Sequence, residues 1–567
     1  MTAMTGLTGI SASTGAALGP FHVMAAALPK PSSIQSEFGA EFELDALSRA
    51  IKAVSDELGE LAARTEGEAQ EILYATLEIT QDSALFAEAE SLLGRGHTAA
   101  YSIWEAAEVF KHLLTGAGGY LAERASDVTN IRDRIICVLS GVGYPEIPLL
   151  DHGFVLIARD LSPADTTDLQ PGQVLAIVTE EGGPTSHTAI IARTLGIPAV
   201  VACKGVVEAA KSDESARIGV DARAGVVTFN PSEELAAELA ALTETIQIRR
   251  ARKPLRVQDG YQTIDGFTIP IYANIGRLDD AVVAIEAGAD GVGLLRTELL
   301  FLDRQTPPSL SEQRELYTQM FSRFSGKKVV IRTLDAGADK PMAFINFTHE
   351  PNPALGVRGY RTIMMNEELL NIQLEAISDA AKASLADVWV MAPMITLPDE
   401  AAHFVALAHS FGLQIAGVMV EVPSAVLLSD DIAKASDFIS IGTNDLGQYL
   451  HAADRESAQL AHLNDPWQPA LLHAIHRVAT SGSAHSCPVG VCGEAASDPA
   501  LAAVLIGLGV TSLSCNVSTL QDVAQAITAL SHVQMREAAT AALRATNAKD
   551  AKLFAREHLH KLASLGL

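Results

Sequence analysis

Polar and reactive side chains follow several short apolar runs in the second half of the chain, directly where each run ends. They are Arg296-Thr-Glu298, Arg332-Thr-Leu-Asp335, Glu421, Gly442-Thr-Asn-Asp445 and Cys492-Gly-Glu494. A single charged residue after a strand is usually a satisfied structural group. When parallel strands close into a barrel, however, their carboxyl ends meet at one face, and active sites lie there. Five polar ends therefore predict a shared site.

The residue types at these ends indicate a site for a small, highly charged anion. Arginine guanidinium groups bind phosphate and carboxylate groups through paired hydrogen bonds. Glu421 and Asp445 offer hard oxygen ligands, which suit Mg²⁺ better than Zn²⁺, and such a metal ion could stabilise an enolate as a Lewis acid. Cys492 stands where a proton donor to carbon would be useful, although a lone cysteine at a strand end is more often a packing residue.

A second candidate site surrounds His187 in the segment Gly182-Gly-Pro-Thr-Ser-His187-Thr-Ala-Ile-Ile-Ala-Arg193. Two glycines let the backbone approach a ligand closely, and Thr185 or Ser186 can cap the helix that follows. His187 would then lie at or near a helix N-terminus, which favours a phosphoryl anion, so it is a candidate covalent nucleophile. Metal ligation is the alternative, but no second histidine, cysteine or carboxylate stands nearby at ligand spacing.

The polar ends belong to a regular alternation of strands and helices that begins after Asp259. The predicted strands are Ile269–Ile275, Gly291–Arg296, Val329–Leu334, Trp389–Met394, Gly417–Val422, Phe438–Ile441, Val489–Cys492 and Thr511–Ser514. Helical patterns fill most of the gaps between them. Eight strands alternating with helices over about 270 residues indicate a (β/α)8 barrel.

Two regions with different sequence patterns precede the barrel. Residues from about 33 to 140 predict helices, because they contain few Gly or Pro and their apolar residues recur at intervals of three and four. From Gly141 the chain predicts a compact α/β domain, with short apolar runs separated by Gly and Pro. These runs are Phe154–Ala158, Val174–Val178, Ala199–Ala202 and Val226–Phe229. A charged, Ala-rich helix from Glu233 to about Arg252 then forms a connector.

Charge restricts the partners that the chain can have. The 567 residues include 41 Lys and Arg against 68 Asp and Glu, which gives a formal net charge of −27. Such a chain repels nucleic acid and anionic membranes, but it could attract a basic protein. Fourteen acidic residues lie between Glu37 and Glu90 against three basic ones. They form either a solvated helical face or a docking surface for a basic partner.

Cysteine usage and the N-terminus both predict a cytoplasmic protein. None of the five cysteines stands in a Cys-x-x-Cys pair, which is typical of thiols in a reducing compartment. No apolar run approaches the roughly 20 residues that span a bilayer. No Lys or Arg precedes Lys30, so a signal peptide would lack its charged start.

Several segments together resemble one family over nearly the whole chain. GGPTSHTAIIARTLGIPAV is similar to the phosphohistidine motif of enzyme I, the phosphoenolpyruvate–protein phosphotransferase of the bacterial sugar phosphotransferase system. The barrel motifs of that family resemble, in the same order, GVGLLRTELLFLDR, VVIRTLDAGADKP, NPALGVRGYR, GVMVEVPSAV, FISIGTNDLGQY and GVCGE. GISASTGAALG resembles its N-terminal segment. The likeness is specific in the His domain and the barrel, and loose in the helical region.

The resemblance implies a role for each matching residue. His187 would accept the phosphoryl group of phosphoenolpyruvate, and Cys492 would protonate the enolate to release pyruvate. The substrate would be held by Arg296, Arg332 and Arg455, with Arg358 close by, and oriented by Asn444. Glu421 and Asp445 would bind Mg²⁺.

The resemblance also implies an α/β multidomain organisation. Residues 1–28 and 145–230 would form a swivelling α/β phosphohistidine domain, and residues 29–144 an inserted α-helical subdomain that docks the carrier HPr. A helical linker, 231–258, would lead to a (β/α)8 domain, 259–567, which binds phosphoenolpyruvate and pairs into a homodimer. Because His187 and the barrel site lie on different domains, we expect the His domain to swing through linkers near residues 20–30, 145 and 230–258.

Some positions depart from the family pattern without removing a catalytic group. Thr14 stands where proline is common, Pro184 where a polar residue is usual, and Gly447 where Thr is common, and residues 513–518 replace a Met-containing segment. We expect these departures to affect the catalytic rate, the strength of the dimer and the choice of carrier protein.

Three other functions share parts of this pattern. Pyruvate phosphate dikinases and phosphoenolpyruvate synthases need a large nucleotide-binding domain, whereas about 140 acidic, helical residues without a Gly-rich phosphate loop precede the α/β domain here. A non-catalytic sensor of phosphoenolpyruvate would need neither His187 nor Cys492. A nitrogen-branch enzyme I carries an extra N-terminal sensory domain, so the sugar-branch form is favoured.

Overall fold

The computed structural model describes most of the chain. The residues outside this description are 1–5, 25–27, 65–67, 118–124, 145–146, 149, 167–168, 171, 184–185, 214–215, 252–253, 256–259, 302–303, 338–341, 343, 346–349, 351, 456 and 458–459. Two units can be distinguished, Met1–Gln247 and Ile248–Leu567.

In the described part of the first unit, nine strands form two small sheets. A five-stranded sheet has the order β2-β7-β6-β5-β4, and a four-stranded sheet has the order β1-β9-β8-β3. The strands are β1 Leu7–Thr8, β2 Ile10–Ser13, β3 Ala16–Gly19, β4 Phe21–Val23, β5 Phe154–Ala158, β6 Val174–Thr179, β7 Ala199–Val201, β8 Ile218–Asp221 and β9 Val226–Phe229. All four predicted apolar runs of the α/β domain are strands, and β8 is a strand that the sequence analysis missed.

A helical insert interrupts the five-stranded sheet between β4 and β5. These two strands are parallel neighbours, with Phe21 opposite Val155. The helices between them are α1 Ala40–Arg64, α2 Glu68–Thr80, α3 Ser83–Leu93, α4 Ala99–Ala117 and α5 Ala125–Ser140. They surround their own apolar core, in which Leu47, Val54 and Leu58 are buried as the helical spacing predicts.

Four further helices precede the barrel in the described part of the chain, and the last of them runs past the end of the first unit at Gln247. They are α6 Pro163–Thr166, α7 His187–Leu195, α8 Val206–Ser212 and α9 Glu233–Ala251. The last of these is the predicted charged connector.

The second unit is a closed barrel of eight parallel strands in sequential order, which confirms the predicted (β/α)8 fold. The strands are β12 Ile271–Ile275, β13 Gly291–Leu295, β14 Lys328–Arg332, β15 Asp387–Ala392, β16 Ile415–Val420, β17 Ile439–Ile441, β18 Val489–Val491 and β19 Ser512–Asn516. Pro270 separates β12 from a preceding hairpin of β10 Tyr261–Gln262 and β11 Thr268–Ile269. The single strand predicted over 269–275 is therefore shorter, because proline cannot donate a ladder hydrogen bond.

Helices surround the barrel and complete the unit. They are α10 Leu278–Glu286, α11 Glu298–Phe301, α12 Leu310–Arg323, α13 Tyr360–Met364, α14 Glu367–Lys382, α15 Pro398–Ser410, α16 Pro423–Leu427, α17 Ser429–Ala435, α18 Thr443–His451, α19 Pro469–Ala484, α20 Pro499–Gly507, α21 Leu520–Ala529, α22 His532–Ala542, α23 Ala548–Arg556 and α24 His560–Ser564. None of the helices in the described part of the chain is long and apolar enough to cross a membrane.

The barrel interior is filled with side chains rather than open. Its inner apolar layer consists of Leu294, Val330, Met391, Met419, Phe438 and Cys492. At the amino-terminal end, the Lys328 ammonium group lies 3.2 Å from the centroid of the Trp389 ring. With this end packed, the polar residues at the opposite strand ends form the accessible face.

Candidate active site

The helix that begins at His187 has a side-chain cap at its N-terminus. Ser186 has extended backbone geometry, and its hydroxyl accepts a hydrogen bond from the backbone N–H of Ala189. The Thr188 hydroxyl donates to the carbonyl oxygen of Leu161 at 3.3 Å. Of the two predicted caps, Ser186 is therefore the cap, while Thr185 and Pro184 lie outside the described residues. His187 is the first residue of α7, where unpaired N–H groups and the helix dipole favour a phosphoryl anion.

Arg332 is held by two carboxylates at the carboxyl end of β14. Its guanidinium forms an ion pair with Glu298, and a second one with Asp335 at 3.1 Å. One of its terminal nitrogens also lies 3.7 Å from the sulfur of Met419. The side chain is buried, and its Nε has no hydrogen-bond partner among the described residues. A buried donor without a partner is costly, so this nitrogen is suited to an anion that enters the site.

Asp445 holds two further arginines on the next part of the same face. One carboxylate oxygen lies 3.1 Å from Arg358, and the other lies 3.5 Å from Arg455. Arg358 also donates to the Tyr449 hydroxyl at 2.9 Å. Arg358 thus lies beside the predicted metal ligand Asp445, and its predicted place near the phosphate stays a prediction; nothing in the sequence pattern indicated Tyr449.

Glu421 is a buried carboxylate in a crowded, negatively charged environment. One oxygen accepts a hydrogen bond from the backbone N–H of Met394 at 2.7 Å. Burial, together with the negative charges of Asp445 and Asp335, raises the pKa of Glu421 to about 8, and the positive charge of Arg332 opposes this rise. Met394 has a positive φ of 57°, a strained conformation for a non-glycine residue, which aims its N–H at the carboxylate.

The carboxylates of Glu421 and Asp445 fit a divalent cation. Their mutual repulsion in a buried position is what a bound cation would neutralise. Among the described residues, no cluster of three His, Cys, Asp or Glu side chains is arranged for a metal ion. Mg²⁺ needs no such cluster, because it commonly takes one or two carboxylates and completes its coordination with water and substrate phosphate.

Cys492 is buried beside this group at the end of β18. Its sulfur lies 3.5 Å from the carbonyl oxygen of Ile441, and the residue belongs to the same buried apolar layer as Met391 and Met419. Burial raises the pKa of the Cys492 thiol to about 11. The thiol therefore carries its proton at neutral pH, as a proton donor must.

Asn444 and Arg296 lie at the rim of the same face. The Asn444 side-chain oxygen accepts a hydrogen bond from the backbone N–H of Glu494 at 3.0 Å, which orients the amide. The Arg296 side chain is exposed at the end of β13, and its backbone N–H donates to the carbonyl oxygen of Ile275. An exposed guanidinium at the rim is available to a charged ligand.

The arrangement can neutralise a polyanion and deliver one proton. Direct contacts join Arg332 to Glu298 and Asp335, and join Arg358 and Arg455 to Asp445. The sequence analysis missed Tyr449 and Met394, and it named Gly442 only as part of a polar strand end, although a glycine directly after β17 is a signal of close approach. His187 belongs to the other unit.

Comparison with known proteins shows the class of enzyme to which the chain belongs. Models for phosphoenolpyruvate-utilising enzymes match three successive parts of the chain: the N-terminal domain over residues 8–124, the mobile domain over 150–225 and the PEP-binding domain over 251–532. The fold and the site thus define a phosphoenolpyruvate-utilising enzyme.

Individual relatives narrow this class to one family. A phosphoenolpyruvate-protein phosphotransferase of Streptomyces coelicolor is 43% identical over 97% of this chain and 98% of its own length. One of Haloferax volcanii is 37% identical over 87% of this chain and 88% of its own length. A solution structure of Enzyme I (nEIt) is 31% identical, covers 42% of this chain and 99% of its own, and has a TM-score of 0.36. The chain belongs to the phosphoenolpyruvate-protein phosphotransferase family.

Proposed function

We propose that the protein transfers the phosphoryl group of phosphoenolpyruvate to His187 and then to a histidine of an HPr-type carrier, as enzyme I of a sugar phosphotransferase system. The observation that supports this most directly is the barrel face. It combines Arg332, Arg358 and Arg455 with a buried carboxylate pair and a protonated thiol. Phosphoryl transfer depends on this kind of positioning and charge neutralisation.

The first half-reaction makes and breaks one bond at phosphorus. An imidazole nitrogen of His187 attacks the phosphorus, a P–N bond forms, and the P–O bond to the enol oxygen breaks. Arg296, Arg332 and Arg455 hold the phosphate, and Asn444 orients the substrate. The enolate of pyruvate leaves, and Cys492 gives its proton to the methylene carbon. The resulting thiolate recovers a proton from water, and its usual thiol state is restored because burial keeps its pKa near 11.

Glu421 and Asp445 would hold Mg²⁺ in this site. The ion would supply charge neutralisation for the phosphate and the enolate. Arg358 and Arg455 keep the Asp445 carboxylate in place, and the Met394 N–H does so for Glu421.

The helical insert would dock the carrier. Exposed aromatic rings stand at its start, where Phe38 and Phe42 lie 5.0 Å apart by ring centroids. They accompany the acidic residues counted between Glu37 and Glu90. An apolar anchor with acidic surroundings suits a carrier whose docking face is basic. In the second half-reaction the P–N bond to His187 breaks and a P–N bond to the carrier histidine forms.

Two further proposals concern the whole protein. The barrel unit exposes Leu397, Leu427 and Leu428, and the segments that carry them are joined by a hydrogen bond from Ser424 to Thr396 at 3.1 Å. We propose that this apolar area pairs with a second copy in a homodimer. The five cysteines are free and buried, which suits the reducing cytoplasm as the location.

Incubation with ³²P-labelled phosphoenolpyruvate and Mg²⁺, without ATP, tests the central step. We expect acid-labile, base-stable label on the wild type and none on His187→Ala, and transfer of that label to added HPr. Label that requires ATP would instead favour a dikinase. A folded wild type that binds phosphoenolpyruvate without acquiring label would favour a sensor and refute the proposal.

A further inference from the structure

A buried ion pair connects the helical insert to the phosphohistidine lobe, meaning the two sheets with α6–α8. Arg134 lies on α5 of the insert, and Asp165 lies on α6 of the lobe. Their side chains are 3.2 Å apart, and each is only 7% exposed. Such pairs are sensitive to the loss of one partner, because the remaining charge is left buried.

Each partner is also held from its own side. On the insert side, Arg134 pairs with Glu57, donates to Asn130 at 3.0 Å, and stacks over the Tyr144 ring at 4.1 Å. On the lobe side, the other oxygen of Asp165 accepts hydrogen bonds from the backbone and the hydroxyl of Ser162, at 3.0 and 2.7 Å. Both groups are thus pre-oriented toward each other.

Helix α6 connects this ion pair to the start of the His187 helix. Ala164, next to Asp165, is buried in the apolar core of the insert. The same short helix contacts α2 of the insert on one side and α7 on the other. Leu161, just before α6, accepts the hydrogen bond from Thr188, the residue after His187. The ion pair therefore fixes the first turn of α7 with respect to the insert.

We propose that Arg134 and Asp165 form a latch that holds the phosphohistidine lobe against the insert, in the arrangement that serves transfer to the carrier, and that this latch opens when His187 moves to the barrel. The inference rests on the proposed function. If the carrier docks on the insert, transfer needs lobe and insert together. If His187 reaches the barrel by a swing at the connections that flank the insert, the lobe must leave α5, and the contact between Arg134 and Asp165 must break.

A latch of this kind predicts opposite effects on the two half-reactions. Removing one partner destabilises the closed arrangement, so a smaller share of the molecules is ready for the carrier. We expect transfer from phosphorylated enzyme to the carrier to slow about tenfold, in the usual range of couplings between sites. Phosphorylation by phosphoenolpyruvate should be unchanged or faster, because the ion pair no longer has to break before the phosphohistidine lobe moves to the barrel.

Arg132 offers a matched control for Arg134 on the same helix. It is also a buried arginine that stacks on an aromatic ring, Trp104 at 3.6 Å, and pairs with Glu108 at 2.7 Å. Its ionic partners that the structure describes, Glu108 and Asp133, all lie within the insert. Arg132→Met therefore disturbs the insert to a similar degree without touching the latch.

The experiment measures both half-reactions in full-length wild type, Arg134→Met, Asp165→Asn and Arg132→Met. Phosphorylation is followed by exchange of ¹⁴C-pyruvate into phosphoenolpyruvate. Transfer is followed by rapid mixing of ³²P-labelled enzyme with purified HPr of Streptomyces coelicolor, the source of a 43% identical relative. The quantity compared is the ratio of the transfer rate to the exchange rate, in which a loss of folded protein cancels.

A ratio lowered about tenfold in both latch variants, and not in Arg132→Met, is the expected result. An unchanged ratio in the latch variants overturns the latch, and so does an equal fall in all three variants. A wild type that takes up no label at His187 would instead contradict the proposed function itself.

Discussion

Gly442→Ala should damage the barrel site although it adds only one methyl group. A Cβ atom at this position would lie far closer than 3.0 Å to an oxygen of Glu421, at 3.0 Å from the Glu421 Cβ and at 3.1 Å from the Met419 sulfur. Glu421 is buried and cannot retreat into solvent. Its carboxylate would have to shift by about 1 Å, away from the Met394 N–H that now lies at 2.7 Å.

The magnitude follows from two contributions. Overpacking of a filled interior costs about 1–3 kcal/mol. Loss of the hydrogen bond from the Met394 N–H adds about 0.5–1.5 kcal/mol. Because the neighbours relax in part, we expect the free energy of unfolding of the barrel unit to fall by about 3 kcal/mol. If Glu421 binds Mg²⁺ as proposed, a shift of about 1 Å in its carboxylate should also lower the rate of His187 phosphorylation about 100-fold.

Gly447→Ala is the matched control five residues further along the chain. There, among the described residues outside the local helix backbone, an added Cβ would meet only Leu471, at 3.9 Å, and the residue lies inside helix α18. Alanine is favoured over glycine in a helix by about 1 kcal/mol, so this variant should be slightly more stable and as active as the wild type. Urea unfolding followed by Trp fluorescence and the ³²P label assay measure the two effects. Wild-type stability together with wild-type labelling in Gly442→Ala would refute the close packing of Glu421.

Two further substitutions test the thiol and the opposite end of the barrel. Cys492→Ala should slow release of pyruvate about 100- to 10,000-fold, the usual contribution of a general acid, while phosphoenolpyruvate still binds. Stopped-flow measurement of pyruvate against equilibrium binding checks this, and loss of binding alone would contradict the assigned role. Lys328→Met should stabilise the barrel by about 1 kcal/mol near pH 7. Burial of the charged ammonium group destabilises the fold and lowers the pKa of Lys328 to about 8. The contact of this group with the Trp389 ring offsets only part of that cost of burial. Between pH 8 and the ordinary lysine pKa of 10.5, the folded wild type binds fewer protons than the unfolded wild type, so the stability of the wild type rises with pH. The stability advantage of Lys328→Met should therefore disappear as the pH rises through this window. Urea titrations at pH 7 and pH 10 measure the difference, and a gain that is equal at both values would refute the argument.

Much of the architecture could be predicted from local patterns. Short apolar runs between helical stretches were sufficient to predict all eight barrel strands, because strand and helix periodicity depends on neighbours in the chain. Local patterns also predicted the helices of residues 33–140 and the α/β domain after Gly141, whereas their arrangement as an insert within that domain was implied only by the family resemblance. Ser186 was one of two caps proposed for the His187 helix, and capping is likewise a local interaction. Pro270 was overlooked, and it shortened the first strand.

The amino-acid sequence by itself determined which chemical groups stand at the strand ends and at the start of the His187 helix. Only the tertiary structure decided how they pair. Asp445 is shared between Arg358 and Arg455, and Arg332 lies between Glu298 and Asp335. Arg358 and Asp445 are 87 residues apart in the sequence. Except for the local pair of Arg332 and Asp335, three residues apart, the contacts of Arg332 with Glu298 and of Arg358 with Asp445 depend on barrel closure, which brings distant strand ends together and buries their charges, and no local pattern carries that information.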